Sequence, residues 1–448
     1  MEDYLYKLLK IYNNLPLPIK IGIGKLYNLI PYRLRYGKFY DEYKQRIKSH
    51  TGMSSLLNKT LKYVKDYIPY YNNTEFNYIY TFPIITKDIL RDKKNDFINN
   101  DFQMYMLEAN TGGTSGTPLT FYLHKGISRA KEKAHFDWYW GQFGYKQDDK
   151  ILMLRGAPLK NNALYEYLAI DNKLSVSCYG LNKSNIGFVL EQIEKFKPKF
   201  IYGYPSAVKI FTKLVDGSHV NSLKNIKAIF LGSEYLSYFD RSFFENYYQT
   251  RVVNWYGHSE RLIHAGNCPY NDEYHIYPFY GYAELIDENN NIIEEANKIG
   301  KIIATGFDNK VMPLIRYDTG DLAEYSETTN CKCGFKGRSF KKIYGREQDY
   351  IYLNDDTTIS VTAFIFGQHF NEFSKILELQ LVQNYLDVLD VNIVPNGIFD
   401  KKDIDSLKKQ MSDSIQGKLK ININLVGNIE KTKMGKHRIL IQNIKKDN

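Results

Sequence analysis

Between residues 106 and 345, short apolar runs alternate with longer amphipathic stretches, and no other feature constrains the fold as strongly. Ile151 to Leu154, Phe200 to Tyr202 and Ala228 to Leu231 are short, continuous and apolar. Runs of that kind suit strands covered on both faces, and the amphipathic segments between them suit covering helices. Glycine turns at Gly112-Gly113, Gly203, Gly232 and Gly257 punctuate the pattern. The expectation is therefore an α/β unit. Before it, residues 1–105 read as mainly helical, with apolar spacing in Leu5, Leu8, Leu9 and Tyr12 and in Leu61, Val64 and Ile68. Pro16, Pro18 and Pro31 break the first helix from the next segment. Residues 279–325 look β-rich, with strands expected at Tyr282 to Ile286 and Lys301 to Thr305. After Gly345, about 100 residues with strands near 379–382, 388–394 and 420–426 and a helix near 402–418 are enough for a small α+β domain.

A chain of 448 residues exceeds what one core usually holds, so more than one domain is expected. The division is drawn at 1–105 (a helical segment of the large domain), 106–345 (the large domain proper) and 346–448 (a small mobile domain). No run approaches the length of a membrane-spanning helix, and the N-terminal stretch lacks the apolar core of a signal peptide. A cytoplasmic protein is the expectation. The charge is uneven: residues 1–70 hold 13 basic and 5 acidic residues, a surplus of eight within a total of +10. A basic, aromatic-studded segment suits an anionic membrane surface or a lipid-linked glycan, or else is the solvated face of N-terminal helices. No helix-turn-helix, finger or RNA-binding motif accompanies it, so nucleic acid is not expected as a partner.

Five segments carry chemistry. Thr111-Gly112-Gly113-Thr114-Ser115-Gly116-Thr117 offers bare backbone and hydroxyl donors suited to a polyphosphate, without the lysine of a Walker loop. Tyr256-Gly257-His258-Ser259-Glu260 follows the apolar pair Val252-Val253, which sets Glu260 on a loop at a strand's carboxyl end. A flat tyrosine there suits a nucleobase, and a carboxylate suits Mg²⁺. Arg316 to Asp321 ends in a glycine-preceded carboxylate, which suits vicinal hydroxyls or else caps a turn. Tyr344-Gly345-Arg346 marks the expected domain boundary, and Lys433 to Arg438 sets Lys436 in a basic turn. Separately, Cys268, His275, Cys331 and Cys333 make a Cys₃His set suited to tetrahedral zinc, with reduced, unligated thiols as the alternative, while Cys178 reads as a core residue.

In order and spacing these segments resemble the adenylate-forming enzyme superfamily, and more narrowly its phenylacetate–CoA ligase and CapK-like branch. Tyr202 to Ala207, Leu231 to Glu234 and Met312 to Asp321 support that, as do Tyr67 to Tyr71 and Phe82 to Lys87; the similarity spans about residues 60–440. The resemblance implies an ATP-dependent ligase that makes acyl-AMP from a small or sugar-linked carboxylate. The acyl group then passes to an amine in surface-polysaccharide assembly or, alternatively, to CoA. A third reading is a nucleotide-binding relative without turnover. Thr111 to Thr117 would hold the ATP phosphates, Tyr256 would stack on adenine, and Gly232, Ser233 and Glu234 would line that pocket. Glu260 would hold Mg²⁺ and Asp321 the ribose of ATP or AMP. Arg346 would reach the nucleotide from the domain junction, and Lys436 would bridge the carboxylate and the α-phosphate. Leu119 and Gln348 depart from the residues common in the superfamily at the phosphate loop and the hinge.

Overall fold

The computed structural model describes residues 11–444 except 13, 50–51, 73–77, 111–118, 156–158, 160–162, 179, 216–220, 235, 237, 347–349, 355–357, 362–363, 365–371, 373–374, 416 and 431–437, and Leu17, Ser222, Phe239, Arg346, Tyr350, Thr358 and Ser360 by their backbone only. Helices α1 (Leu17–Leu29), α2 (Tyr32–Tyr36), α3 (Lys38–Ser49), α4 (Met53–Tyr67) and α5 (Lys87–Asp92) build the N-terminal segment. Pro16 caps α1, and Ile30 turns extended ahead of Pro31, because a residue before proline avoids helical geometry. Ile11 and Tyr12 are helical and Asn14 to Pro16 are not, so the expected break falls at Pro16 and recurs at Pro31, while Pro18 sits in the first turn of α1.

A small ribbon of β1 (Met106–Asn110) and β2 (Thr120–His124) leads into α6 (Ser128–Gly141) and a 13-stranded sheet. Its parallel half holds β3 (Ile151–Arg155), β5 (Lys173–Ser177), β6 (Phe200–Gly203), β7 (Ala228–Gly232) and β8 (Arg251–Gly257), with β4 (Tyr165–Leu168) antiparallel at the edge. The crossovers are α7 (Ile186–Phe196), α8 (Pro205–Val215) and α9 (Tyr238–Tyr248). They bury Val189, Phe211 and Phe244 with Leu152, Ile201 and Ile229 in one core. On the opposite face, α6 packs Tyr139 and Trp140 against Phe200, Phe230 and Val253. Strands covered on both faces have no reason to alternate, as the apolar runs predicted.

The antiparallel half is made of β9 (His264–Gly266), β10 (Tyr274–Ile276), β11 (Gly281–Ile286), β12 (Ile292–Ile293), β13 (Ile299–Gly306), β14 (Tyr317–Tyr325) and β15 (Ser339–Arg346). The N-terminal segment is stitched into it: the Ile85 amide donates to the Arg316 carbonyl at 2.9 Å, and the Asp318 amide donates to the Ile85 carbonyl at 2.9 Å. One core accordingly runs from Leu61 through Phe82 and Ile85 to Tyr317 and Phe340.

Hairpin β16 (Tyr350–Tyr352) and β17 (Thr358–Ser360) precedes a four-stranded sheet. Its strands β18 (Ile376–Tyr385), β19 (Val388–Pro395), β20 (Lys420–Leu425) and β21 (Leu440–Gln442) share a core with α10 (Lys401–Ser414). Asp400 and Asp403 form a reciprocal capping box at the start of α10, and Leu407 and Met411 face the sheet. The mixed α/β large body and small α+β body are the fold class expected from the sequence.

Candidate functional site

In the sheet order four steps separate β8 from β14. Strands in a flat sheet lie about 4.8 Å apart, which would hold them about 19 Å from each other. Instead the Tyr256 phenol on β8 donates to Asp321 Oδ2 on β14 at 2.7 Å. The antiparallel half therefore curls until β14 faces the end of β8. Breaks in the β14–β15 register, and Gly320 with φ +74°, accompany the curl.

Glu260 sits in the turn after β8, as expected, and is buried. The Tyr317 phenol donates to its Oε1 at 2.9 Å, and His258 Nδ1 lies 3.2 Å from Oε2. Burial pushes the carboxyl up, but the hydrogen bond and charge of His258 and the bond from Tyr317 outweigh it and hold the group at about 2. Glu260 is thus kept anionic, as a divalent-cation ligand must be. Burial and then the Asp321 carboxylate push the Tyr256 phenol well above the usual range, so it stays a donor. Asp321 lies inside a strand and accepts from Tyr256, which corrects the alternative reading of a turn cap.

Two faces of the β8–β9 pair are distinguished by register, with Trp255 opposite Gly266, Tyr256 opposite Ala265 and Gly257 opposite His264. Tyr256 points to the Asp321 side. Trp255 and His264 share the other face with Phe136 of α6, whose ring meets the indole edge-on at 4.7 Å. Glycine is required at 232: a β-carbon there would meet the Trp255 indole nitrogen at 2.4 Å. Ser233 follows with φ +68° and is exposed. Glu234 accepts from the Ser206 amide at 3.0 Å and from its hydroxyl at 3.1 Å, which joins two segments quoted from the sequence. Thr111, Gly112, Gly113, Thr114, Ser115, Gly116 and Thr117 lie outside the described residues, as do Gln348 and Lys436. Arg346 ends β15, its backbone paired with Asp321.

The Cys₃His set also comes together. The ligand atoms of Cys268, His275, Cys331 and Cys333 all lie within 4.8 Å of one another. Cys268 Sγ is 3.6 Å from Cys331 Sγ, and Cys333 Sγ is 3.3 Å from His275 Nε2. Sulfurs about 2.3 Å from a tetrahedral zinc would stand about 3.8 Å apart, so the cluster fits that ion. The Cys331–Gly334 turn is closed by the Gly334 amide donating to Cys331, and the Phe335 ring stacks on His275 at 4.3 Å. His275 Nδ1 contacts Ser339 Oγ at 2.8 Å, and Asn271 Nδ2 donates to Cys331 Sγ at 3.5 Å. These supports orient the ligands. His258 belongs to the Glu260 site and Cys178 is buried in a separate core, both as read from the sequence.

Sequence reasoning missed Tyr317 as the partner of Glu260, although it lies between Arg316 and Asp321 in a segment already singled out. It also missed Ser339 and Asn271. Ser339 is the cross-strand neighbour of His275, a relation that only the β10–β15 register creates.

Residues 353–443 match a family model described as the CapK C-terminal domain. Over 97% of this chain and 99% of its own length, Protein CapK of Staphylococcus aureus is 25% identical. Among solved structures, 2-hydroxyisobutyryl-CoA ligase in the postadenylation state with 2-HIB-AMP superposes with a TM-score of 0.67 at 17% identity, covering 87% of this chain and 88% of that one. Anthranilate CoA ligase AuaEII with anthranoyl-AMP gives a TM-score of 0.50 at 17% identity over 73% of this chain and 65% of that one. The resemblance to the adenylate-forming, CapK-like branch is borne out, and the fold is that of AMP-forming ligases.

Proposed function

We propose that this chain is an AMP-forming ligase that activates a carboxylate with ATP. One observation carries the reading: residues from two segments about sixty positions apart, Tyr256 with Asp321 and Glu260 with Tyr317, meet in one hydrogen-bonded row at the end of β8. A carboxylate oxygen attacks the α-phosphorus and forms the C–O–P link of acyl-AMP. The bond from phosphorus to the bridging oxygen breaks, and pyrophosphate leaves with the electron pair. Two anions meet in that step, so the groups that offset charge dominate the rate. Tyr256 stacks on the adenine beside Gly232, Ser233 and Glu234, and its phenol steadies Asp321 against the ribose hydroxyls. Thr111 to Thr117 donate to the outer phosphates. Glu260 would hold Mg²⁺, which supplies charge neutralisation of the triphosphate when bound. Lys436 bridges the incoming carboxylate and the α-phosphate, and Arg346 contacts the nucleotide from the junction between the 106–345 and 346–448 units.

Zinc held by Cys268, His275, Cys331 and Cys333 is a closed structural site, since all four positions are protein ligands. The acyl acceptor is an amine, in keeping with the likeness to CapK; CoA is the second reading, favoured by the two ligases with the same fold, which bear that name. No helix among the described residues is long and apolar enough to cross a membrane. The protein works in the cytoplasm, and the basic residues of 1–70 hold it at an anionic inner leaflet where lipid-linked glycans are built.

The decisive assay is carboxylate-dependent ATP–pyrophosphate exchange over a panel of acids. Lys436→Ala should lower it by about 10²-fold or more with the fold intact. Wild-type exchange in that variant removes Lys436 from the mechanism. Supplying CoA or amines to the best acid then decides the acceptor: thioester without amide overturns the amine reading.

A further inference from the structure

Helix α1 is built on the wrong plan for a surface that meets only water. Its inward side is narrow. A β-carbon at Gly24 would meet the Ala169 β-carbon at 2.6 Å, so the helix backbone lies directly on the turn between β4 and β5. Asn28 Nδ2 donates to the Ala169 carbonyl at 3.4 Å on the same side. The corner after the helix is fastened by Arg35. Its Nε donates to the Ile30 carbonyl at 2.6 Å, and its guanidinium pairs with Asp148 at 3.2 Å. Position and orientation of α1 are thereby fixed from within.

The outward side is aliphatic. Ile19, Ile23 and Leu26 follow the spacing of a single helical stripe, with Leu29 beside it, Ile30 extended just past the helix end and Leu34 on α2. Their exposures, in that order, are 50%, 38%, 68%, 79%, 39% and 69%. A contiguous patch of large aliphatic side chains on one helix face marks a contact surface. Single exposed leucines would not.

Charge selects the occupant. From Tyr4 to Tyr40 the chain has no acidic residue and seven basic ones. Lys25 stands exposed beside the stripe on α1, and Arg33 extends from α2 with 74% of its side chain in solvent and a loose 3.9 Å pair with Asp41. A second copy of the chain would bring the same positive field against this one. A nucleic acid would satisfy the charges and leave six aliphatic side chains in water. An anionic bilayer satisfies both, because its headgroups meet the lysines and arginines while its acyl boundary takes the aliphatic stripe. With 13 residues α1 is about 20 Å long, too short to span a bilayer and suited to lying in its plane.

We propose that α1 and the start of α2 are an interfacial anchor that inserts Ile19, Ile23, Leu26, Leu29, Ile30 and Leu34 into the headgroup boundary of an anionic membrane. This rests on the membrane-side placement proposed for the basic segment and sharpens it, because it assigns attachment to one helix face instead of diffuse charge over residues 1–70. Aliphatic insertion makes attachment persist partly in salt. Purely electrostatic attachment would vanish as the Debye length shrinks. Each basic side chain near the surface adds about a fivefold gain in partitioning.

The test is flotation of the full chain with vesicles of phosphatidylcholine alone and of phosphatidylcholine with about one-third phosphatidylglycerol. Wild type should float with the anionic vesicles and only weakly with the neutral ones. Leu26→Gln/Leu29→Gln changes two well-exposed residues and should cut binding by about tenfold or more, since each buried methylene is worth nearly a factor of four. Lys25→Gln/Arg33→Gln should erase most of the preference for the anionic vesicles. Both variants should retain the wild-type melting temperature and carboxylate-dependent pyrophosphate exchange in vesicle-free buffer. If wild type floats and Leu26→Gln/Leu29→Gln floats equally, membrane placement stands and the anchor falls. If wild type floats with neither vesicle, both fall, and loss of self-association in that variant would assign the face to a second copy. Retention on RNA in place of vesicles overturns the proposal as well. Absence of exchange in the wild type would overturn the ligase reading alone, because flotation needs no turnover.

Discussion

The row at the end of β8 and the Cys₃His cluster are both made by the antiparallel half of the sheet, yet they are finished in opposite ways. In the first, polar groups face protein partners: Tyr256 meets Asp321, and Glu260 meets Tyr317 and His258. In the second, the ligand atoms face one another, sulfur to sulfur and sulfur to imidazole. Burial, and then the neighbouring thiols, push Cys333 up to about 12, so three thiolates do not form there without a cation. A site for a passing ligand must stand on its own between turnovers. A site for a resident ion, as proposed for the cluster, is completed by the ion, and the fold around such a site depends on that completion.

If this contrast is right, damage to the two places should separate activity from stability. The largest effect is expected from Asp321→Ala, which should lower carboxylate-dependent exchange by about 10²-fold while calorimetry finds the melting temperature nearly unchanged. Next, Cys331→Ser/Cys333→Ser should lose close to one equivalent of zinc by elemental analysis and about 5 °C or more of melting temperature. Exchange per folded molecule should stay within about threefold, since the cluster residues contact one another and not the residues of the row at the end of β8. An unstable Asp321 variant, or a stable but inactive cysteine variant, would break the comparison.

The smallest effect concerns His264, between the two places on β9. Its ring is buried among Phe136, Tyr139, Trp255 and Tyr277, and neither ring nitrogen has a hydrogen-bond partner among the described residues. Burial holds it at about 3, below the ordinary 6.5. The folded chain thus binds this proton less readily than the unfolded one. Its stabilising share is complete above about pH 6.5 and declines as the pH falls from there toward 3. Each such histidine steepens the acid limb by at most about 1.4 kcal/mol per pH unit. His264→Phe should flatten denaturation midpoints measured at pH 7, 6 and 5 by roughly that amount; an unchanged slope would mean the ring is not held neutral.

Much of this is legible in the sequence, and the reasons differ from place to place. The strands around Ile151, Phe200 and Ala228 can be read because burial on both faces leaves an uninterrupted apolar run. The Cys₃His set can be read because few residue types ligate zinc. Tyr317 and Ser339 cannot be assigned, since their partners are set by the curl and register of an antiparallel sheet, which has no one-dimensional signature. The α1 stripe escapes for another reason. Periodicity reports that a helix has an apolar side, and only the packed fold reports that none of the described residues covers it.

The stitch at Ile85 has a consequence for how the chain is made. It pairs a residue near the start with Arg316 and Asp318, more than 230 positions later, at the beginning of the strand that carries Asp321. A ribosome must therefore release most of the chain before the early helices can dock, and Leu61 to Phe97 wait meanwhile with apolar surface uncovered. Yield in a heterologous host should accordingly depend on chaperone capacity during synthesis, and a truncation that begins after residue 86 should aggregate even though it keeps every chemical group assigned to the proposed reaction.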